Sequence, residues 1–161
     1  MISKIQQQFL QHAVELAFKA EQEGNLPIGA VITLDKKIIA EGRNKIWQPH
    51  FAGTRHAEIE ALRTVPKKLW SRTREMTLYT TLEPCLMCAG AILLHHIGTV
   101  VFGAKDTIGG AGCVFGHMPA FLESELKSTN WIGPALPEVC DELFSRTLKL
   151  IDKRREQGLI I

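Results

Sequence analysis

The stretch Thr81-Leu82-Glu83-Pro84-Cys85-Leu86-Met87-Cys88-Ala89-Gly90-Ala91-Ile92 constrains this chain most, because it joins an apolar run to a helix start and carries two thiols two residues apart. Pro84 suits the first turn of a helix, where its missing N–H costs nothing, and Cys85 and Cys88 then lie one turn apart on one face. Two sulfurs can reach one ion. Unpaired N–H groups and the positive end of the helix dipole favour thiolate over thiol, and thiolate is the form that binds metal. Upstream, Thr54-Arg55-His56-Ala57-Glu58 leads into a helical run from Ile59 to Leu62, which puts His56 and Glu58 near a second helix N-terminus. One histidine and two cysteines make three protein ligands. Structural zinc sites close with four, whereas catalytic ones keep a position for water, so His56, Cys85 and Cys88 point to one zinc ion used for hydrolysis. Glu58 stands beside that ion as the carboxylate able to move protons.

The rest of the composition narrows the setting. At 161 residues the chain is about one ordinary domain, large enough to bury a core without disulfides. The balance of 19 basic against 17 acidic residues gives a net charge of +2, too small to diagnose a nucleic-acid partner without local clustering. Of four cysteines, two are assigned to metal, and Cys113 and Cys140 are expected as free thiols in a reducing cytosol. No leader pattern is read at the N-terminus and no apolar run approaches the roughly 20 residues of a membrane span, so a soluble, cytoplasmic protein without membrane contact is expected.

Taken in order, the periodicity predicts an amphipathic helix over Ile5 to Ala20 and a hairpin from Pro27 to Ala40 that turns at Asp35-Lys36-Lys37. A polar, turn-rich loop from Gly42 to Gly53 leads to the His56 helix. Thr64 to Glu75 is a basic, solvated connector, Met76 to Thr81 a strand, and the Cys85 helix runs to His95-His96 and ends at Gly98 before a strand over Thr99 to Phe102. Strand, helix, strand implies a parallel pair with a right-handed crossover. Met118 to Pro134 has no readable pattern, and Glu138 to Arg155 forms a last helix with a basic end at Lys149, Lys153, Arg154 and Arg155. The fold class expected is a three-layer α/β/α arrangement, with a mixed central sheet of about five strands flanked by helices.

His-x-Glu followed by Pro-Cys-x-x-Cys is the signature of the zinc deaminases, for which the handling of flipped nucleobases is a known theme. The chain resembles the zinc-dependent cytidine and deoxycytidylate deaminase superfamily, and within it the bacterial tRNA-specific adenosine deaminases. The likeness runs from Leu26 to Gly112 through Leu-Pro-Ile-Gly-Ala-Val, Gly-Arg-Asn, His-Ala-Glu-Ile, the Cys85 stretch and Val-Phe-Gly-Ala-Lys-Asp. It implies a cytidine-deaminase-like fold, Glu58 as proton shuttle, and adenosine-to-inosine conversion at the wobble position of a tRNA anticodon loop. It also implies substrate contacts at Asn44, which would hold the base edge, at Ile28 and Ala30, which would pack on the base, and at Ala57, Glu83, Pro84, Lys105 and Asp106. Similar enzymes are homodimers whose site borrows from the partner chain, so a homodimer is expected. After Gly112 the likeness fades: where similar enzymes carry a Met-Asn-His-Arg-type segment, an acidic residue and a Gly before the last helix, this chain has Ser128-Thr129-Asn130-Trp131-Ile132-Gly133-Pro134-Ala135-Leu136-Pro137.

Two other readings stay open at this level. The same metal chemistry would serve a deaminase of a free base or nucleoside of guanine, cytosine or adenosine type, with the divergent segment closing the pocket. A non-catalytic RNA-binding subunit with structural zinc closed by Cys113 would leave Glu58 without a task.

Overall fold

The computed structural model describes residues 2–159. One five-stranded sheet, ordered β2-β1-β3-β4-β5, runs through it, built from β1 (Gly29–Leu34), β2 (Lys37–Arg43), β3 (Thr77–Leu82), β4 (Thr99–Ala104) and β5 (Asn130–Ile132). The hairpin β1–β2 and the pair β1–β3 are antiparallel, whereas β3–β4 and β4–β5 are parallel. The sheet is therefore mixed, as the strand-helix-strand reading requires. Asp35 and Lys36 turn the hairpin with φ of 51° and 60°, the left-handed pair that matches strand twist.

Helices cover both faces. Successive strand residues point to opposite sides, and Val31, Tyr79 and Val101 meet Leu10, Ala13 and Leu16 of α1 (Lys4–Gln22) on one of them. The C-terminal helix α5 (Pro137–Glu156) lies beside α1, tied to it by an ion pair between Arg146 and Glu21, with Cys140 over Gly103 of β4. On the other side Ala30, Ile32, Leu78 and Val100 pack with Ala61 and Leu62 of α2 (Ala57–Thr64) and Ile92 of α3 (Leu86–Leu94). This is the three-layer α/β/α arrangement expected.

Several boundaries differ from the sequence reading, each for a physical reason. Gly42 is inside β2 and not at the start of a loop, since it pairs with Ala30. The basic connector folds as 3-10 turns over Lys67–Glu75. α3 stops at Leu94, four residues short of Gly98, because His96 itself takes a left-handed φ of 55°. The unreadable segment holds α4 (Ala120–Lys127), which buries none of its residues, and the three-residue β5. Neither leaves a burial period to detect. No helix among the described residues is long and apolar enough to cross a membrane.

Candidate metal centre and substrate pocket

α2 and α3 start side by side at the ends of the central strands, and their first residues face each other. His56 is the N-cap of α2 and Cys85 the N-cap of α3, both with extended backbone, and Cys88 lies one turn into α3. Pro84 thus precedes the cap and is not inside the first turn. Because Cys85 stays outside the helix while Cys88 is in it, the two sulfurs converge below the unpaired N–H groups of α3. The ligand atoms of His56, Cys85 and Cys88 lie within 4.8 Å of one another, with Cys85 Sγ 3.6 Å from His56 Nδ1. A tetrahedral ion with sulfur at about 2.3 Å has ligand edges of about 3.8 Å, so this set closes on zinc with only small adjustments. His56 turns Nδ1 toward Cys85 and so toward the other two ligand candidates. Cys113 is not in the cluster: it is exposed and its thiol donates to the Gly110 carbonyl at 3.1 Å.

Glu58 is 3% exposed and sits against the cluster, its carboxylate accepting from the Thr80 hydroxyl at 3.0 Å and from the Cys88 thiol at 3.4 Å. Burial raises its pKa above the ordinary carboxylate value, and the nearby His56 charge only partly offsets this. A carboxyl raised in this way holds a proton more readily than an exposed one, which suits a group that carries protons. The two thiols share their protons unequally without metal. Cys85 falls to about 4, held as thiolate by the hydrogen bond from Cys88 against the opposing effect of burial, with His56 adding to the drop. Cys88 is pushed far up, first by that same hydrogen bond to Cys85, then by burial and Glu58. Burial opposes the His56 cation, but the Cys85 hydrogen bond and the Glu58 charge outweigh it and raise His56.

Zinc needs both thiolates and a neutral imidazole, so metal uptake expels the protons these groups hold. Titrating zinc into the metal-free protein at pH 7 in weak buffer should release about one to two protons per ion, and affinity should climb as pH rises. Proton-free uptake would mean that Cys88 is not a ligand.

A cavity of about 220 Å³ opens over the site, lined by His56, Glu58 and Cys85 at its floor. Ligand pockets usually start at about 300 Å³, so this one is on the scale of a single ring system and not of a polymer. Its walls are Leu26, Ile28, Leu82 and Glu83, then Asp106, Ile108 and Gly109 of the segment after β4, and Phe144, Thr147, Leu148 and Ile151 of α5. Of the substrate contacts implied by resemblance, Ile28, Glu83 and Asp106 border the cavity. Ala30 and Ala57 are wholly buried in the core and do not line it. Pro84 is buried and accepts from the Ala111 N–H at 2.9 Å. Lys105 is half exposed, its ammonium 3.4 Å from Glu83. Asn44 is buried; its N–H donates to the Ile28 carbonyl, its Oδ1 accepts from the Ile46 N–H at 3.2 Å, and its Nδ2 has no partner among the described residues. The α5 wall is absent from the sequence reading, because its apolar stripe reads as core. The available signal is breadth: Cys140, Leu143 and Thr147 already supply a buried face, while Phe144, Leu148 and Ile151 add a second, half-buried one.

Residues 3–104, which include His56, Glu58, Cys85 and Cys88, match the cytidine and deoxycytidylate deaminase zinc-binding region. The chain is 41% identical to the tRNA-specific adenosine deaminase of Haemophilus influenzae over 163 aligned residues, covering 98% of this chain and 90% of that protein. Its fold superimposes with a TM-score of 0.67 on a solved structure from studies of A-to-I editing by tRNA:A34 deaminases at the wobble position of transfer RNA, at 34% identity, over 78% of this chain and 96% of that one. The guanine deaminase of Bacillus subtilis gives a TM-score of 0.56 at 32% identity, over 74% and 80% of the two chains. Three converging ligands, a buried carboxylate beside them and a match that spans both make this chain a member of the cytidine and deoxycytidylate deaminase zinc-binding family.

Proposed function

We propose that the protein deaminates adenosine to inosine at the wobble position of a tRNA anticodon, as the names of its relatives suggest for them. The observation that carries the RNA substrate is the double use of α5. Its middle, through Phe144, Leu148 and Ile151, walls the cavity, and its end carries Lys149 and Lys153, with Arg154 stacked over the Trp47 ring and Arg155 beside Asp152. The cavity takes one flipped base while the cations follow the backbone phosphates attached to it. His56, Cys85 and Cys88 would hold zinc, which supplies a hydroxide nucleophile at neutral pH. Glu58 does the proton work: it accepts the proton of the attacking water, passes it to the ring nitrogen, and returns one to the departing amine, so that ammonia leaves and a carbonyl remains. Ile28 and Leu82 keep the base in an apolar slot.

The test is ammonia release from bulk tRNA against a panel of free bases and nucleosides, with inosine measured in the tRNA digest. Release from a free base alone would replace the RNA reading with that of a small-molecule deaminase. Salt gives a second measure. Lys149→Ala combined with Lys153→Ala should reduce the slope of log affinity against log salt by about 1.4 for a single-stranded target, and leave zinc content unchanged.

A homodimer is part of this reading. α3 leaves Leu86, Met87 and Leu94 exposed at 55%, 38% and 60%, an apolar face on the helix that carries two metal ligands. Such a face on a small protein favours a partner surface. Leu86→Glu with Leu94→Glu should give monomers in analytical ultracentrifugation, whereas an unchanged sedimentation coefficient would put the interface elsewhere. A reducing, cytoplasmic setting fits the four unpaired thiols.

A further inference from the structure

Glu83, the residue before Pro84, buries a carboxylate that the deamination chemistry does not use. Its side chain is 1% exposed. Oε2 accepts from the Asp106 N–H at 3.2 Å, Oε1 accepts from the Gly112 N–H at 3.3 Å, and the Lys105 ammonium is 3.4 Å from Oε1. These donors come from the two ends of one segment, residues 105–112, so a single carboxylate gathers both. Carboxyl oxygens this deep are stable only where donors replace the water they have lost.

Between the two anchor points the segment is folded by its own aspartate. Asp106 Oδ1 accepts from the N–H groups of Ile108 and Gly109 at 2.9 and 2.8 Å, and the chain then forms a bridge from Gly110 to Cys85. The close approach depends on two glycines. A Cβ at Gly110 would sit 2.5 Å from Glu83 Oε2, and one at Gly112 would sit 2.5 Å from Oε1. The part of the segment held in this way, Asp106, Ile108 and Gly109, is one wall of the cavity over the metal site.

We propose that Glu83 is a positioning residue: its carboxylate staples the 105–112 segment at both ends, and so shapes the pocket wall and seats the backbone against the ligand Cys85. The effect on substrate rests on the reading of this cavity as the base pocket; the staple itself does not. Glu83→Gln keeps the shape but turns an NH2 group toward N–H donors, so at least one anchor is lost. Amide exchange at Asp106 and Gly112 should then accelerate about ten-fold or more, with the amides of β4 unchanged. KM for tRNA should rise by about ten-fold with kcat within a few-fold, and zinc should stay at one per chain. Gly112→Ala, which pushes a methyl against Oε1 without altering the carboxylate, should reproduce the pattern, and the double variant should add little to either.

Unchanged exchange at both amides in either soluble, zinc-loaded variant would overturn the staple. Faster exchange with an unchanged KM would show a staple that does not position substrate, and would overturn the role claimed for it. If the unaltered protein does not deaminate tRNA, the proposed substrate fails instead, and the exchange data stand apart from that failure.

Discussion

Glu58→Gln will leave the protein folded and loaded with zinc and will lower turnover by about 10²–10⁴-fold, the range over which a positioned general acid–base acts. The structure explains why the two effects separate. Glu58 is not one of the three converging ligands; it touches them from the side, through the Cys88 sulfur, and is held by Thr80. Glutamine has the same shape, keeps an oxygen for the Thr80 hydroxyl, and can turn its NH2 toward the Cys88 thiolate. What it lacks is a site for the proton that must travel from water to ring nitrogen to amine. Turnover within a few-fold of the unaltered protein would remove Glu58 from the mechanism.

The same substitution should stabilise the metal-stripped protein. Burial raises the pKa of Glu58 above its ordinary value of 4.5. A carboxyl with a raised value contributes its full stability below the unfolded value and loses it as pH rises through the folded one. At pH 7, above the unfolded value, Glu58 therefore opposes folding, and Glu58→Gln should melt at a higher temperature, by a margin that vanishes below about pH 4. Thermal melts of both proteins at pH 7 and pH 4 compare the two signs.

The metal centre was legible in the sequence because each half is local. His-x-Glu and Cys-x-x-Cys fix their own geometry within one helical turn, and each needs only a helix start to point it. Other parts of the site depend on contacts that leave no side-chain signature. Glu83 reads as a substrate contact from resemblance, but its partners are backbone N–H groups, which every residue except proline carries. Phe144, Leu148 and Ile151 read as core because helical periodicity records an apolar face and not what covers it. α4 leaves no pattern in the sequence because it buries nothing, and β5 leaves none because three residues cannot show a period of two. Gly42 carries the most instructive error: glycine before a polar stretch signals a turn, yet here its small size is used inside a strand.

That use leads to the second large effect. Gly42→Ala should destabilise the protein by about 3 kcal/mol or more and reduce activity with it, since overpacking against backbone exceeds the cost of crowding a movable side chain. A Cβ at Gly42 would lie 2.1 Å from the Ala57 carbonyl oxygen, 2.4 Å from the Ala61 nitrogen and 3.0 Å from its Cα, all of them atoms of α2. The helix has no side chain to swing aside, so it must move as a body. Ala57 lies between His56 and Glu58, and a helix displaced there carries both side chains off their positions together. A shift of about 1 Å at reacting groups can cost about 10²-fold in rate. Gly53→Ala is the matched control, because its added methyl would meet only the tip of the Phe51 ring at 3.7 Å, an ordinary contact. Chemical denaturation, zinc content and turnover should fall together in Gly42→Ala and stay level in Gly53→Ala. Were Gly42→Ala to keep its stability and its rate, the packing of α2 on β2 would not be what seats His56 and Glu58, and the alignment of the site would have to come from the α2–α3 contact alone.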